Sequence, residues 1–271
     1  MKVLIGTLNI GESEFEACKK SILSQENVDF DHFIISGKPN KNAHDELYAS
    51  FMDRSKEVNF FLKLDADMTF CSPNSLRQLV DIAVMNKAAH VISWIKDIPS
   101  SLMIPGVQLY RSDTRWGGSD DLLNVDYPPT LFGRSLAVGA PCLVDHMSCP
   151  STFQLFRYGI HKALKAIQYV SEEKKSIDKF LIHTSILKGI ARNYFSGRRD
   201  LIWCLLGAFL VVKEKVPIEE YASGEVALYY DELCRDQNLF GALSKGAEQF
   251  FESDIQISFR FFDAYSKAGS G

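Results

Sequence analysis

The chain has 271 residues, of which 46% are hydrophobic and 24% charged, enough for one large domain or a domain with a substantial appendage. Its net charge of −4 gives no general electrostatic reason to expect a nucleic-acid partner. The six cysteines form no C-x-x-C pair, which argues against a zinc ribbon or a thioredoxin-type motif and suits reduced thiols in a cytoplasmic protein.

In chain order, residues 2–8 read as a buried first strand with no long apolar leader before it. Thr7-Leu8-Asn9 ends that strand, and Gly11 breaks it. Glu14 to Leu23 carries a helical pattern, with Phe15, Cys18, Ile22 and Leu23 near one face. Phe30 to Ser36 reads as a second strand, closed by Gly37-Lys38-Pro39-Asn40, and a helix is expected from Ala43 to Lys56.

The stretch Phe60-Phe61-Leu62-Lys63-Leu64-Asp65-Ala66-Asp67-Met68-Thr69-Phe70 suits a buried strand. Alternate strand residues share a face, so Asp65 and Asp67 are expected to point one way and Ala66 into the core. Two carboxylates on one face need compensation, and a hard divalent cation supplies it. The other reading of such a pair is a solvated turn.

Ser72 and Pro73 read as the N-cap and first position of a helix running to Asn86, and His90 to Trp94 as another strand. Strand–helix alternation with short connections predicts a mostly parallel sheet covered on both faces. Residues 98–129 are broken by Pro, Gly and Asp, and predict a hairpin or irregular insert over the ligand end of the sheet. Leu136 to Val144 reads as the last strand, and His146 directly follows it.

Helices are expected from there almost to the end, most clearly at 163–170, 177–194, 201–213 and 224–233, with a disordered tail at 267–271. The run Leu201–Val212 is too short to span a bilayer. It reads as a core helix, or as an interfacial segment beside Arg198 and Arg199, which would give peripheral membrane contact.

The ordered set Thr7-Leu8-Asn9, Ser21-Ile22-Leu23-Ser24-Gln25 and Asp65-Ala66-Asp67 resembles the GT-A glycosyltransferases of the family-2 type across roughly residues 1–95. The resemblance implies a nucleotide-sugar-binding catalytic domain over 1–150 and a helical C-terminal region over 151–266. It implies donor binding by Thr7, Asn9, Gly37, Lys63, Asp65 and Asp67, and Mn²⁺ or Mg²⁺ held by Asp65, Asp67 and His146. The acidic pair usual after the family's second strand is replaced here by Ser36-Gly37-Lys38-Pro39.

For an inverting transfer, Asp121 is the candidate base, with Asp120 and Asp126 as alternatives, following Arg115-Trp116-Gly117-Gly118 as an acceptor loop with a stacking aromatic. Retention would require no such base. Arg157, His161 and Lys162 are weaker candidates for donor phosphates, and a helix surface explains them equally well.

The implied acceptor is a glycan or lipid-linked molecule in bacterial surface polysaccharide synthesis, at the inner face of the membrane. Two other readings stay open. One is a sugar-phosphate nucleotidyltransferase, although Gly6-Thr7-Leu8-Asn9-Ile10-Gly11 lacks a basic phosphate loop's Arg or Lys. The other is an inactive scaffold that binds a partner through its C-terminal helices.

Overall fold

The computed structural model describes residues 1–118, 123, 129–138, 142–170, 176–213, 216–217, 221, 224–252, 257 and 261. The chain divides into two compact units. The first comprises Met1–Ile98 and Met103–Pro150, and the second Pro99–Leu102 and the chain from Ser151 onward.

The first unit is a mixed α/β structure in which parallel pairings predominate. Its strands are β1 (Lys2–Asn9), β2 (Asp29–Ser36), β3 (Phe60–Lys63), β4 (Met68–Phe70), β5 (Ala88–Asp97), β6 (Leu102–Arg111), β7 (Arg115–Trp116), β8 (Pro129–Thr130), β9 (Arg134–Val138) and β10 (Val144–His146). The main sheet runs β2-β1-β3-β6-β5-β10-β4, with β9 also pairing β5. β7 and β8 pair separately. Helices α1 (Phe15–Leu23), α2 (Asn40–Asp53) and α3 (Ser75–Met85) connect the early strands.

The expected α/β class is present, with several local differences. The aspartate stretch is two strands joined by a turn, because Met68 N–H donates to the Asp65 carbonyl at 3.0 Å. β3 lies inside the sheet, whereas β4 lies at its edge, antiparallel to β10. Ser72 and Pro73 precede α3 instead of starting it, since the Ser72 N–H donates to Ser75 Oγ at 3.1 Å. Within 98–129, β6 is a sheet strand antiparallel to β3, and the predicted last strand is divided between β9 and β10.

Strands buried on both faces read as continuous apolar runs. Val3, Leu4, Ile5, Phe61 and Leu62 are all fully buried. Each such aliphatic or aromatic side chain contributes about 1.5–3 kcal/mol. Leu47, Tyr48 and Phe51 of α2 cover β1 and β3. Trp116 completes that cluster, 5.0 Å from Tyr48 and 5.1 Å from Tyr110 between ring centroids. At 6% exposure it is core, which corrects its reading as an acceptor-stacking aromatic. The apolar partners supplied by α2 and β6 explain the difference.

The second unit contains α4 (Thr152–Gln168), α5 (Ile177–Phe195), a 3-10 turn (Arg199–Leu201), α6 (Ile202–Lys213), α7 (Val226–Arg235) and α8 (Gln237–Phe251). α4 begins with a reciprocal cap: Ser151 Oγ accepts from Gln154 N–H at 3.2 Å, and Gln154 Oε1 accepts from Ser151 N–H at 3.1 Å. α4 and α6 touch backbone to backbone. A Cβ at Gly159 would collide with the Cys204 carbonyl, and one at Gly207 with the Phe156 carbonyl. Leu201, Cys204, Leu205, Leu206 and Ala208 are fully buried, so α6 is a core helix of this unit. Among the described residues, no helix is long and apolar enough to cross a membrane.

Candidate active site

The carboxyl ends of neighbouring strands are where open α/β sheets bind ligands. Here β1, β3, β5 and β10 bring polar side chains to the turn that carries Asp65 and Asp67. That turn is pinned from both sides. Ala66 N–H donates to the Leu8 carbonyl at 3.1 Å, and the Asp67 carbonyl accepts from Met147 N–H at 2.9 Å. Ala66 is fully buried, as expected, but a turn and not strand alternation puts it there.

At the centre is a chain of three groups from three elements. Asp97, the last residue of β5, is fully buried and lies 2.7 Å from His146 Nδ1. The other ring nitrogen, Nε2, lies 3.3 Å from Asp67 Oδ2. A carboxylate on one imidazole nitrogen fixes the ring and aims the other. His146 ends β10, and the next residue, Met147, has a left-handed φ of 53°. That conformation costs an ordinary side chain about 1–2 kcal/mol, and the buried packing around Met147 holds it.

Burial pushes the His146 ring pKa down, but the charge of Asp67 and hydrogen bonds to Asp67 and Asp97 outweigh it, to about 10. Without a cation the ring is therefore protonated at neutral pH.

Two further acids complete the patch. Asp65 Oδ2 is 3.6 Å from Lys63 Nζ. Glu12 Oε2 accepts from Ile10 N–H at 2.7 Å. Burial raises the Glu12 carboxyl above its usual range, and the charges of Asp67 and Asp65 add to the rise. Burial also pushes the Cys18 thiol up to about 12, with Asp67, Asp65 and Glu12 contributing. The field of this patch is thus negative and calls for a cation.

Asp67 and His146 offer two donors that suit a cation of Mn²⁺ or Mg²⁺ type; among the described residues, Asp65 does not join them in a group of three ligand atoms within 4.8 Å. Ligands at about 2.1 Å in octahedral geometry stand roughly 3 Å apart, close to the observed His146–Asp67 separation. Carboxylate oxygens with one imidazole suit Mn²⁺.

The other candidates distribute as follows. Thr7 is fully buried and its hydroxyl meets His32 Nε2 at 3.0 Å. Asn9 Oδ1 accepts from Gly11 N–H at 2.9 Å, and the Asn9 carbonyl accepts from Gly37 N–H at 3.0 Å. Gly37 has a φ of +67° and open space where a Cβ would point, which leaves its surface accessible. Asp121, Asp120 and Asp126 lie outside the described residues. Arg157, His161 and Lys162 belong to α4 of the second unit, where His161 Nδ1 meets the Tyr221 hydroxyl at 2.7 Å.

Asp97 and Glu12 were not anticipated from the sequence. The signal for Asp97 was parity: Val91, Ser93, Ile95 and Asp97 alternate along β5 and are all buried. A carboxylate on a buried strand face needs a partner. Glu12 carried no comparable signal.

No family model matches the chain, and no curated protein matches it. Similar solved structures include A197 from STIV, at 12% identity over 41% of this chain and 65% of that one, with a TM-score of 0.33. A second is S. aureus TarS, at 11% identity over 84% of this chain and 54% of that one, with a TM-score of 0.36. A third is the mannosyltransferase PcManGT from Pyrobaculum calidifontis in complex with GDP-Man and Mn2+, at 11% identity over 93% and 87%, with a TM-score of 0.40. The chain thus spans less than two thirds of the length of the first two.

Proposed function

We propose that this chain is a GT-A glycosyltransferase that uses Mn²⁺ or Mg²⁺ to transfer a sugar from a nucleotide-sugar donor to a glycan or lipid-linked acceptor. The observation that carries the reading is the Asp97–His146–Asp67 chain at the strand ends, which presents an oriented ring nitrogen and a carboxylate 3.3 Å apart. The resemblance of residues 1–95 to family-2-type enzymes supports it. Residues 1–150 form the catalytic domain in this reading, and 151–266 its helical extension. The setting is bacterial surface polysaccharide synthesis on the cytoplasmic side of the membrane.

Departure of a nucleoside diphosphate builds negative charge, and a cation at this site would neutralise that charge as it develops. Asp67 and His146 would hold the ion, with Asp65 on the ion or on the donor ribose. Asp97 keeps the His146 ring fixed. Lys63 beside Asp65 adds positive charge near the departing phosphates. Asn9 ties the end of β1 to the Gly11 and Gly37 loops, between which the nucleotide would lie. Asp121 takes the acceptor proton if the configuration is inverted.

The test is release of nucleoside diphosphate from a panel of nucleotide sugars, with and without chelator, for wild type and Asp67→Asn. Calorimetry with Mn²⁺ and the matching nucleotide runs beside it. Metal-dependent release lost in the variant is the expected result. Unchanged binding in Asp67→Asn would remove the reading.

A further inference from the structure

β10 separates two chemistries, because neighbouring strand residues face opposite ways. His146 faces Asp97 and Asp67, so Asp145 faces the other side. There it stands opposite Thr69 of β4 in the antiparallel register, with Cys71 next but one along the same face. The Cys71 N–H donates to the Leu143 carbonyl at 3.0 Å, which extends the ladder and fixes the Cys71 backbone. Cys142 enters the same space from the segment before β10, its thiol donating to the Val144 carbonyl at 3.2 Å. The two sulfurs and an Asp145 carboxylate oxygen all lie within 4.8 Å of one another.

We propose that Cys71, Cys142 and Asp145 form a second cation site, selective for a thiophilic divalent ion of the zinc class. Thiolates select such ions over Mn²⁺ and Mg²⁺, so the two faces of β10 would hold different metals. Two sulfurs and one carboxylate leave the fourth tetrahedral position to water. Cys71 is exposed and Cys142 and Asp145 are half-buried, so an ion can enter from solvent. Bound there, it clips β4 to the strand that carries His146 and braces the Asp67–His146 geometry.

The first measurement is Co²⁺ and Zn²⁺ titration of the reduced full-length protein in a non-thiol reductant. One equivalent of Co²⁺ should produce a sulfur-to-cobalt charge-transfer band that Zn²⁺ then abolishes. The band should disappear in Cys71→Ser and in Cys142→Ser, weaken in Asp145→Asn, and persist in Asp67→Asn and His146→Ala. Cobalt bound only at the oxygen-rich site cannot produce it.

A second measurement on the wild type does not depend on any variant folding. Zn²⁺ should slow alkylation of Cys71 selectively, while exposed Cys149 and Cys234 react at unchanged rates. A protein with intact thiols that shows no band overturns the proposal. So does a band that survives in both serine variants, or equal alkylation of Cys71 with and without Zn²⁺.

Discussion

Asp97→Asn is the sharpest single perturbation of this protein. The amide has nearly the shape of the carboxylate, so the buried site stays filled and only the charge is removed. Asp97 is fully buried and 2.7 Å from His146 Nδ1. Hydrogen bonds to charged groups contribute about 1.5–3 kcal/mol, and that range sets the expected loss of stability in the metal-free protein. Replacing the carboxylate behind a metal-binding histidine lowers metal affinity by roughly 10–100-fold, or about 1.4–2.7 kcal/mol.

Both numbers describe one interaction seen from two sides. Losing the Asp97 charge also lowers the His146 pKa from about 10, since Asp97 is one of the groups that raise it. Proton competition for Nε2 then weakens, so the affinity deficit should narrow as pH falls. Electron paramagnetic resonance of free Mn²⁺, titrated at several pH values, measures the affinity, and urea melts measure the stability. Wild-type Mn²⁺ affinity across the pH range in Asp97→Asn would show that Asp97 does not position the ring.

The same pKa fixes a stability profile. Because His146 is raised from 6.5 to about 10, its contribution is fully present below about 6.5 and fades as pH rises through about 10. Metal-free melts between about 6.5 and about 10 in pH should show this decline, and His146→Gln should flatten it. Mn²⁺ affinity should run the opposite way, rising with pH as the proton leaves Nε2. In the helical unit, Leu205→Asn should cost roughly 2–5 kcal/mol by calorimetry; a melt unchanged from wild type would place that side chain outside the core. Gly159→Ala should also destabilise, since its Cβ meets the Cys204 backbone and not a movable side chain; a melt unchanged from wild type would mean that α4 and α6 can separate at little cost. Trp116→Ala should cost about 3–5 kcal/mol, and a fully stable variant would place the ring outside the core.

The parts of this molecule that were legible in the sequence are those where local pattern and tertiary place agree. β1 ends at Asn9, α5 spans Ile177–Phe195 and α6 starts at Ile202, all close to expectation, because long periodic segments carry their own signal. Asp65, Asp67 and His146 stood out because charged groups interrupt or follow apolar runs. What failed to show has physical causes. Phe60 to Phe70 contains no Gly or Pro, yet it turns at Asp65–Met68, because backbone bonds to Leu8 and Met147 supply what turn residues usually supply. β6 was hidden by Pro105 and Gly106, which demote a strand on pattern alone. The pairing with β3 uses only Gln108 to Arg111, so the proline lies beyond those paired residues. Gly106 is needed where Ile95 of the neighbouring strand would meet a Cβ.

Asp97 was missed for a related reason: with β5 expected to stop at Trp94, the carboxylate fell outside the strand and its parity with Val91, Ser93 and Ile95 went unused. The candidate site is therefore assembled by strand ends that differ from local expectation by a few residues. Successive strand residues face alternate sides, so continuing β5 three residues past Trp94 in strand conformation puts Asp97 on the buried face of Val91, Ser93 and Ile95, where it meets His146. Sequence pattern fixes which strands exist far better than where they stop, and in an open sheet the stopping points are where the chemistry is placed.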